Sequence, residues 1–238
     1  MTSEAKPSGT LYGLGIGPGD PELLTLKAVR ILAQSPVIAW PAPLEGDGMA
    51  RQIAAAHIPP GRVEIAIRMG FTLDRTGTEA AYDKAADEIA THLIAGRDVA
   101  VLCEGDPFFF GSFIYLFARL SPRFPVEVVP GVSSIMAAGA ALQAPLCAWD
   151  DGVAILPATR SEIEIEAAVA AADAMIFMKI GRNLPKIRRV LERAGLWDKA
   201  RIIERVGLPG QRIFSPGEAS ELPYFSIILV HRRGCAWL

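Results

Sequence analysis

The chain has 238 residues, of which 51% are hydrophobic and 21% are charged. This length suits one large domain or two modest ones, and the hydrophobic content is far too high for a disordered chain. The 24 basic and 26 acidic residues give a formal net charge of −2, which excludes a general electrostatic attraction to nucleic acid or to anionic membranes. Any anionic ligand must therefore bind to a local group of cations.

Up to about residue 145, short segments rich in β-branched residues alternate with amphipathic helices. The predicted strands are Leu11–Ile16, Val37–Trp40, Val63–Ile67, Val99–Cys103 and Val126–Val129. One helix is predicted from Glu22 to Ala33, with Asp20 as its N-cap and Pro21 in its first turn. Another is predicted from Glu79 to Ala95 and ends at Gly96. This alternation predicts a mainly parallel sheet with helices on both faces.

The second half of the chain has a different pattern. Strands are predicted at Val153–Leu156, Met175–Met178, Arg201–Glu204 and Phe225–Val230, and helices near Glu162–Ala172 and Leu184–Ala194. Between the halves, the segment Ala144–Gly152 contains Pro145 and a turn signal at Asp150-Asp151-Gly152. We therefore predict two α/β domains, formed by residues 1–147 and 148–238.

The cysteines and histidines are few and scattered. Cys103, Cys147 and Cys235 lie far apart and form no CxxC motif, which is typical of a cytoplasmic protein without disulfides or a zinc site. The segment Met1–Thr10 lacks the apolar stretch of a signal peptide. The uncharged segment Val128–Trp149 is interrupted by prolines and glycines, so it does not predict a membrane span. We expect no metal, no membrane partner and no nucleic-acid partner.

Three glycine-rich loops follow predicted strands, at the edge where open α/β sheets bind ligands. They are Gly13–Asp20, Glu104–Ser112 and Val129–Ser134. The first is not a dinucleotide motif, because Pro18 occupies the third glycine position of GxGxxG, and it is not a P-loop, because no GK[ST] follows. Each loop alone is also compatible with an ordinary strand-to-helix turn. Together they predict a site where a ligand approaches backbone amides.

The second and third loops carry side chains with two possible roles each. Of Phe108, Phe109 and Phe110, we expect at least two in the core, while one aromatic ring is available to lie over a planar or cationic ligand. Ser133 or Ser134 is either an N-cap of the next helix or a hydroxyl that binds a ligand.

The three loops, read in order, resemble the tetrapyrrole methylase family. The matching segments are GLGIGPGDPELLTLKA from Gly13, EGDPFFFGS from Glu104 and VVPGVSS from Val128, and the resemblance covers essentially the whole chain. It implies a homodimeric enzyme that uses S-adenosylmethionine to methylate a tetrapyrrole. It also implies two α/β domains, a mainly parallel N-terminal sheet, a mixed C-terminal sheet and an active-site cleft between the domains.

Further segments are similar to the branch of this family that methylates C-20 of precorrin-2, or its cobalt form, in cobalamin (vitamin B12) biosynthesis. They are GDPFFFGSFIYL from Gly105, AWDDGVAILPAT from Ala148, FMKIGRNLPKI from Phe177 and ERVGLPGQRI from Glu204. Phe110 is a departure, because that branch usually has tyrosine there. Methylation of uroporphyrinogen III is the alternative reaction. A phosphate-binding hydrolase and a non-catalytic tetrapyrrole binder are alternatives of other classes.

The resemblance also implies site residues. It places the cofactor against Pro18, Gly105, Asp106, Phe109, Ser133, Ser134, Met178, Val206 and Gly207. The candidates for a catalytic base are Asp106 and Lys179. A polycarboxylate substrate needs local cations, and arginine forms forked contacts with carboxylates. The candidates near predicted strand ends are Arg68, Arg160, Lys179, Arg182 and Arg205.

Overall fold

The computed structural model describes residues 8–70 and 75–236. The chain divides into two compact units, and the boundary between them lies between Ser133 and Ser134. The domain boundary that we predict, between residues 147 and 148, lies further along the chain. This boundary stays a prediction, and so does the active-site cleft that the family resemblance implies.

Within the described residues, the first unit contains five strands and four α-helices. The strands are β1 (Leu11–Gly15), β2 (Val37–Ala42), β3 (Val63–Arg68), β4 (Val99–Cys103) and β5 (Val126–Val129). The helices are α1 (Leu26–Gln34), α2 (Met49–Ala54), α3 (Arg75–Ile94) and α4 (Phe113–Leu120). The strand order is β3-β2-β4-β1-β5, and all four pairs are parallel. The predicted parallel sheet is thus confirmed.

The central strand β4 is buried on both faces, as the strands of parallel sheets usually are. Val99, Val101 and Cys103 pack in one cluster with residues of α3 and α4. In the neighbouring strand β1, Gly13 lies against the ring of Phe113, and a Cβ at this position would come within 2.5 Å of that ring. Glycine is therefore what allows α4 to pack so closely on the sheet.

The first helix begins later than we predict. Asp20 accepts a hydrogen bond from the Glu22 backbone N–H (2.9 Å), but it caps only a short 3₁₀ turn, Pro21–Leu23. Thr25 is the N-cap of α1 and accepts from the Ala28 backbone N–H (3.1 Å). Two N-cap residues, Asp20 and Thr25, thus lie within six residues of each other, and the α-helix begins after the second.

The second unit contains a mixed sheet, as the family resemblance implies. Its strands are β6 (Val153–Pro157), β7 (Ala174–Met178), β8 (Arg201–Glu204), β9 (Arg212–Phe214) and β10 (Ser226–His231), and its helices are α5 (Ser134–Ala141), α6 (Glu162–Ala171) and α7 (Leu184–Arg193). The strand order is β6-β7-β10-β8-β9. The β6–β7 pair is parallel, whereas the other three pairs are antiparallel.

A buried polar cluster in the second unit joins the segment before β6 to the end of β10. His231 Nε2 lies 3.2 Å from Asp151 Oδ2, and the Arg233 backbone N–H donates to His231 Nδ1 (3.2 Å). Nε2 therefore carries the ring proton and donates a hydrogen bond to the Asp151 carboxylate. Asp151 also accepts from the Ala148 backbone N–H (2.8 Å) and from the Arg233 guanidinium (2.8 Å). The carboxylate thus connects residues that are more than 80 positions apart.

This cluster predicts a pH-dependent contribution to stability. The Ala148 N–H, followed by His231 and Arg233, lowers the pKa of Asp151 below its ordinary value. The stabilisation is therefore present above the unfolded carboxyl pKa of about 3.9 and is lost as the pH falls through the lower, folded pKa. We expect Asp151→Asn to lower the urea midpoint at pH 7. The difference from the unmodified protein should shrink below about pH 4.

The exposed neighbour Asp150 provides the control. Asp150→Asn should leave the urea midpoint and its pH dependence unchanged. A constant difference between the Asp151→Asn variant and the unmodified protein from pH 7 down to pH 3 would contradict the ionic role of Asp151.

Candidate active site

The three glycine-rich loops of the first unit meet through their backbones. A Cβ on Gly131 would lie 2.1 Å from the Gly105 carbonyl oxygen and 2.7 Å from the Gly15 Cα. A Cβ on Gly15 would lie 2.4 Å from the Gly131 nitrogen. Real side chains do not tolerate such distances, so only glycine fits at Gly15 and Gly131. We refer to the contact of Gly15, Gly105 and Gly131 as the glycine junction.

The first two loops are also joined by hydrogen bonds. Gly17 and Gly105 form an isolated antiparallel bridge, in which the Gly105 N–H donates to the Gly17 carbonyl (2.8 Å) and the Gly17 N–H donates to the Gly105 carbonyl (3.4 Å). Both glycines have positive φ angles, +78° for Gly17 and +65° for Gly105. Such backbone conformations favour glycine. The bridge keeps the two loops in a fixed register at the carboxyl end of the sheet.

Asp106 connects the second loop to the third. Its Oδ1 accepts from the backbone N–H groups of Phe108 (2.9 Å) and Phe109 (3.1 Å). Its Oδ2 accepts from the Gly131 N–H (3.0 Å). Helix α4 begins only at Phe113, so Asp106 does not cap it. The carboxylate instead fixes a turn and positions Gly131 beside it.

The aromatic residues of the second loop are more exposed than we predict. Phe108 and Phe110 are 49% and 47% exposed, and Phe109 is half-buried, so the expectation that at least two of the three lie in the core is wrong. The reason is the late start of α4, which places Phe113 in the core instead. Phe110 has a left-handed backbone (φ +55°), and its ring packs edge-on against Phe109 at 5.0 Å. The loop thus presents aromatic surface to solvent.

Glu104 is a candidate that the sequence analysis missed. It directly follows β4, and its side chain is exposed. Surrounding protein nevertheless desolvates the carboxyl group and raises the pKa of Glu104, while a hydrogen bond from the backbone of Ala50 acts in the opposite direction. The sequence feature that could have identified Glu104 is the position of an acidic residue directly after an apolar strand.

Several predicted cofactor residues lie at this edge of the first unit. Pro18 is buried directly after the Gly17 bridge, and Gly105, Asp106 and Phe109 belong to the second loop. Ser133 is the last residue of the first unit, and Ser134 is the first residue of α5 in the second. Both serines are half-buried.

The other predicted residues gather at one edge of the second sheet. Strand β10 lies between β7 and β8, with Ile227 opposite Met178 and Ser226 opposite Glu204, so β7 and β8 end at the same edge. The residues that follow these two strand ends are Lys179, Arg182, Arg205, Val206 and Gly207. Lys179 and Arg205 have left-handed backbones, with φ of +59° and +52°. Such conformations are uncommon for side-chain-bearing residues and concentrate at functional positions.

The candidate substrate cations Arg68, Arg160 and Arg205 have hydrogen-bond or ion-pair partners within the chain. Arg68 donates to the carbonyls of Pro43 and Gly46 (3.0 Å each). Arg160 pairs with Glu164 on the next helix turn (2.7 Å), and Arg205 Nε donates to the Pro209 carbonyl (3.0 Å). Arg182 is exposed in the short 3₁₀ turn after β7. Binding of substrate by these arginines stays a prediction.

Metal-binding clusters and membrane-spanning helices are both absent from the part of the chain that the structure describes. In residues 8–70 and 75–236, no three histidine, cysteine, aspartate or glutamate side chains are grouped in a way that would bind a metal ion. Over the same residues, no helix combines the length and the apolar character that crossing a membrane requires.

The family model of the tetrapyrrole (corrin/porphyrin) methylases matches residues 10–223. The chain is 40% identical to the precorrin-2 C(20)-methyltransferase of Sinorhizobium sp over 232 residues, which cover 93% of this chain and 95% of that protein. It is 30% identical to the cobalt-precorrin-2 C(20)-methyltransferase of Salmonella typhimurium over 95% of this chain and 98% of the relative.

Among solved structures, uroporphyrin-III C-methyl transferase from Thermus thermophilus, complexed with S-adenosylhomocysteine, has the same fold. Its TM-score is 0.69 at 24% identity, over 94% of this chain and 92% of that one. Because the family model and both relatives span nearly all of the sequence, the chain belongs to the tetrapyrrole (corrin/porphyrin) methylase family.

Proposed function

We propose that the protein transfers a methyl group from S-adenosylmethionine to C-20 of precorrin-2, or of its cobalt form, in cobalamin biosynthesis. The observation that carries the proposal is the likeness, over nearly the full length, to two relatives whose names specify C-20 methylation of precorrin-2 or cobalt-precorrin-2. The glycine junction supports it, because it places three loops with little side-chain bulk at the carboxyl edge of a parallel sheet.

The residues present fit a bound S-adenosylmethionine, which would supply an electrophilic methyl group. At Gly15 and Gly131 the loop backbones contact each other with no side chain between them, and Asp106 fixes the backbone beside this contact, so the surface offered to the cofactor is mainly backbone. Phe109 adds an aromatic ring at the same loop. We propose that the cofactor is bound by Pro18, Gly105, Asp106, Phe109, Ser133, Ser134, Met178, Val206 and Gly207.

The main contribution of the protein to this reaction is to align the substrate carbon with the methyl group of the cofactor. The meso carbons of a reduced tetrapyrrole are electron-rich, so the substrate itself is the nucleophile. Fixing the two reactants in line can contribute about 7–11 kcal/mol. The apolar rings of Phe108 and Phe110 would exclude water from the reacting atoms. Asp106 and Lys179, which the family resemblance suggests as catalytic bases, remain candidates for that role.

The polycarboxylate substrate would be bound by cations at strand ends. Arg205 and Lys179 follow β8 and β7 at one edge of the second sheet, and Arg182 lies in the turn after Lys179. Arg68 is the last residue of β3, and Arg160 lies three residues after the end of β6. We further propose that the protein is a cytoplasmic homodimer, as the family resemblance implies.

The test is a methylation assay with purified protein, S-adenosylmethionine and either metal-free or cobalt-loaded precorrin-2. We expect the trimethylated tetrapyrrole and one equivalent of S-adenosylhomocysteine, both detected by mass spectrometry. Turnover of uroporphyrinogen III without turnover of either precorrin-2 form would favour the alternative methyltransferase. Calorimetry with S-adenosylhomocysteine separates an enzyme from a tetrapyrrole binder, which would have no affinity for it. Metal-dependent phosphate release from nucleotides would favour a hydrolase.

A further inference from the structure

Glu104 occupies the carboxyl end of the central strand of the first sheet. Strand β4 is third of five in the order β3-β2-β4-β1-β5. Val101 and Cys103 point into the cluster formed with α3 and α4. The Glu104 carboxylate lies beside α2, where it accepts a hydrogen bond from the backbone of Ala50. An acidic side chain thus follows directly after five buried residues.

The backbone on either side of Glu104 is fixed by the first loop. The Cys103 carbonyl accepts from the Ile16 N–H (3.0 Å), and the Gly105 N–H donates to the Gly17 carbonyl (2.8 Å). The Gly105 carbonyl is itself part of the glycine junction. The Glu104 side chain therefore starts from a rigid position, one residue from the proposed cofactor site.

The charge environment distinguishes Glu104 from Asp106. Both carboxylate oxygens of Asp106 accept backbone N–H groups that connect the loops. The Glu104 carboxylate accepts a hydrogen bond from the backbone of Ala50. Among residues 8–70 and 75–236, no lysine, arginine or histidine forms an ion pair with Glu104. Desolvation by the surrounding protein raises the pKa of Glu104 above its ordinary value, which makes its carboxylate a stronger base than that of a free glutamate.

We propose that Glu104 is the catalytic base that takes the proton from C-20 after the methyl group has been added. The inference rests on the proposed function. The π electrons at C-20 form the new carbon–carbon bond, while the carbon–sulfur bond breaks and its electron pair stays on sulfur. The C-20–H bond then breaks, its electrons restore the ring conjugation, and the proton moves to the Glu104 carboxylate and on to water.

The test separates methyl transfer from proton removal in a single turnover. The probe is metal-free precorrin-2, prepared with hydrogen or deuterium at C-20. In the unmodified protein, S-adenosylhomocysteine and the trimethylated product should form together. In Glu104→Gln, S-adenosylhomocysteine should form at nearly the native rate. The product chromophore should appear about 10²–10⁴-fold more slowly and show a primary hydrogen isotope effect.

Two further variants keep the test decisive. Glu104→Asp retains a carboxylate and should recover part of the rate, while Glu127→Gln removes a carboxylate on β5 that pairs with Lys27 and should leave both rates unchanged. Affinity for S-adenosylhomocysteine, measured by calorimetry, confirms that each variant folds. Equal slowing of both steps without an isotope effect, or no slowing at all, overturns the role of Glu104. Failure of the unmodified protein to methylate precorrin-2 overturns the proposed function, and the role of Glu104 with it.

Discussion

Replacing Gly131 with alanine is expected to weaken S-adenosylhomocysteine binding by about 5- to 140-fold. The added methyl group would lie 2.1 Å from the Gly105 carbonyl and 2.7 Å from the Gly15 Cα, so the loops must separate. Overpacking of this kind costs about 1–3 kcal/mol, and 1.4 kcal/mol corresponds to a tenfold change in affinity. Calorimetry gives the affinity, and thermal unfolding gives the accompanying loss of stability.

Gly77→Ala is the matched control for this substitution. Gly77 lies in α3, and a Cβ there meets no other atom within 4 Å. Alanine in a helix is favoured over glycine by about 0.5–1 kcal/mol, so this variant should be slightly stabilised and should bind normally. Native affinity in the Gly131→Ala variant would show that the glycine junction is not part of the binding site.

Replacing Asp106 with alanine is expected to lower the free energy of unfolding by about 2–4 kcal/mol and to remove measurable S-adenosylhomocysteine binding. Three backbone N–H groups, of Phe108, Phe109 and Gly131, would lose their acceptor. A buried donor without a partner costs about 1–3 kcal/mol, and the Phe109 and Gly131 hydrogen bonds are part-buried. Urea unfolding and calorimetry measure the two effects.

Asp106→Asn distinguishes the connecting role from the role of a base. The amide retains one oxygen for the N–H groups of Phe108 and Phe109, but it presents an NH₂ group to the Gly131 N–H. Both stability and affinity should therefore fall, though less than in the alanine variant. Native stability and native affinity combined with lost methyl transfer would instead support Asp106 as the base.

The sequence predicts the strands and the parallel sheet well, because these follow from local patterns. Apolar runs such as Val99–Cys103, which has Gly105 two residues after its end, identify both the strands and the loops at their ends. The family resemblance adds the mixed second sheet and names the residues of the loops. Assignment of individual residues to cofactor or substrate stays a prediction.

The remaining features depend on contacts between distant parts of the chain. Gly15 and Gly131 are in contact although more than one hundred residues separate them in the sequence, and no local sequence pattern predicts that contact. The pairing of Asp151 with His231 joins residues 80 positions apart, although each residue alone is typical of a turn or of the core. The prediction for Phe108 and Phe110 was wrong because both residues lie in the loop before α4, which begins only at Phe113.

The glycine junction has a consequence for how such enzymes can be redesigned. Three segments meet at one point without any side chain to absorb a misfit. Exchanging a single loop for the corresponding segment of another methyltransferase would leave the remaining two with an incompatible surface. To transfer the substrate specificity of another methyltransferase, all three segments should therefore be taken from that enzyme, together with the residue equivalent to Asp106 that connects them.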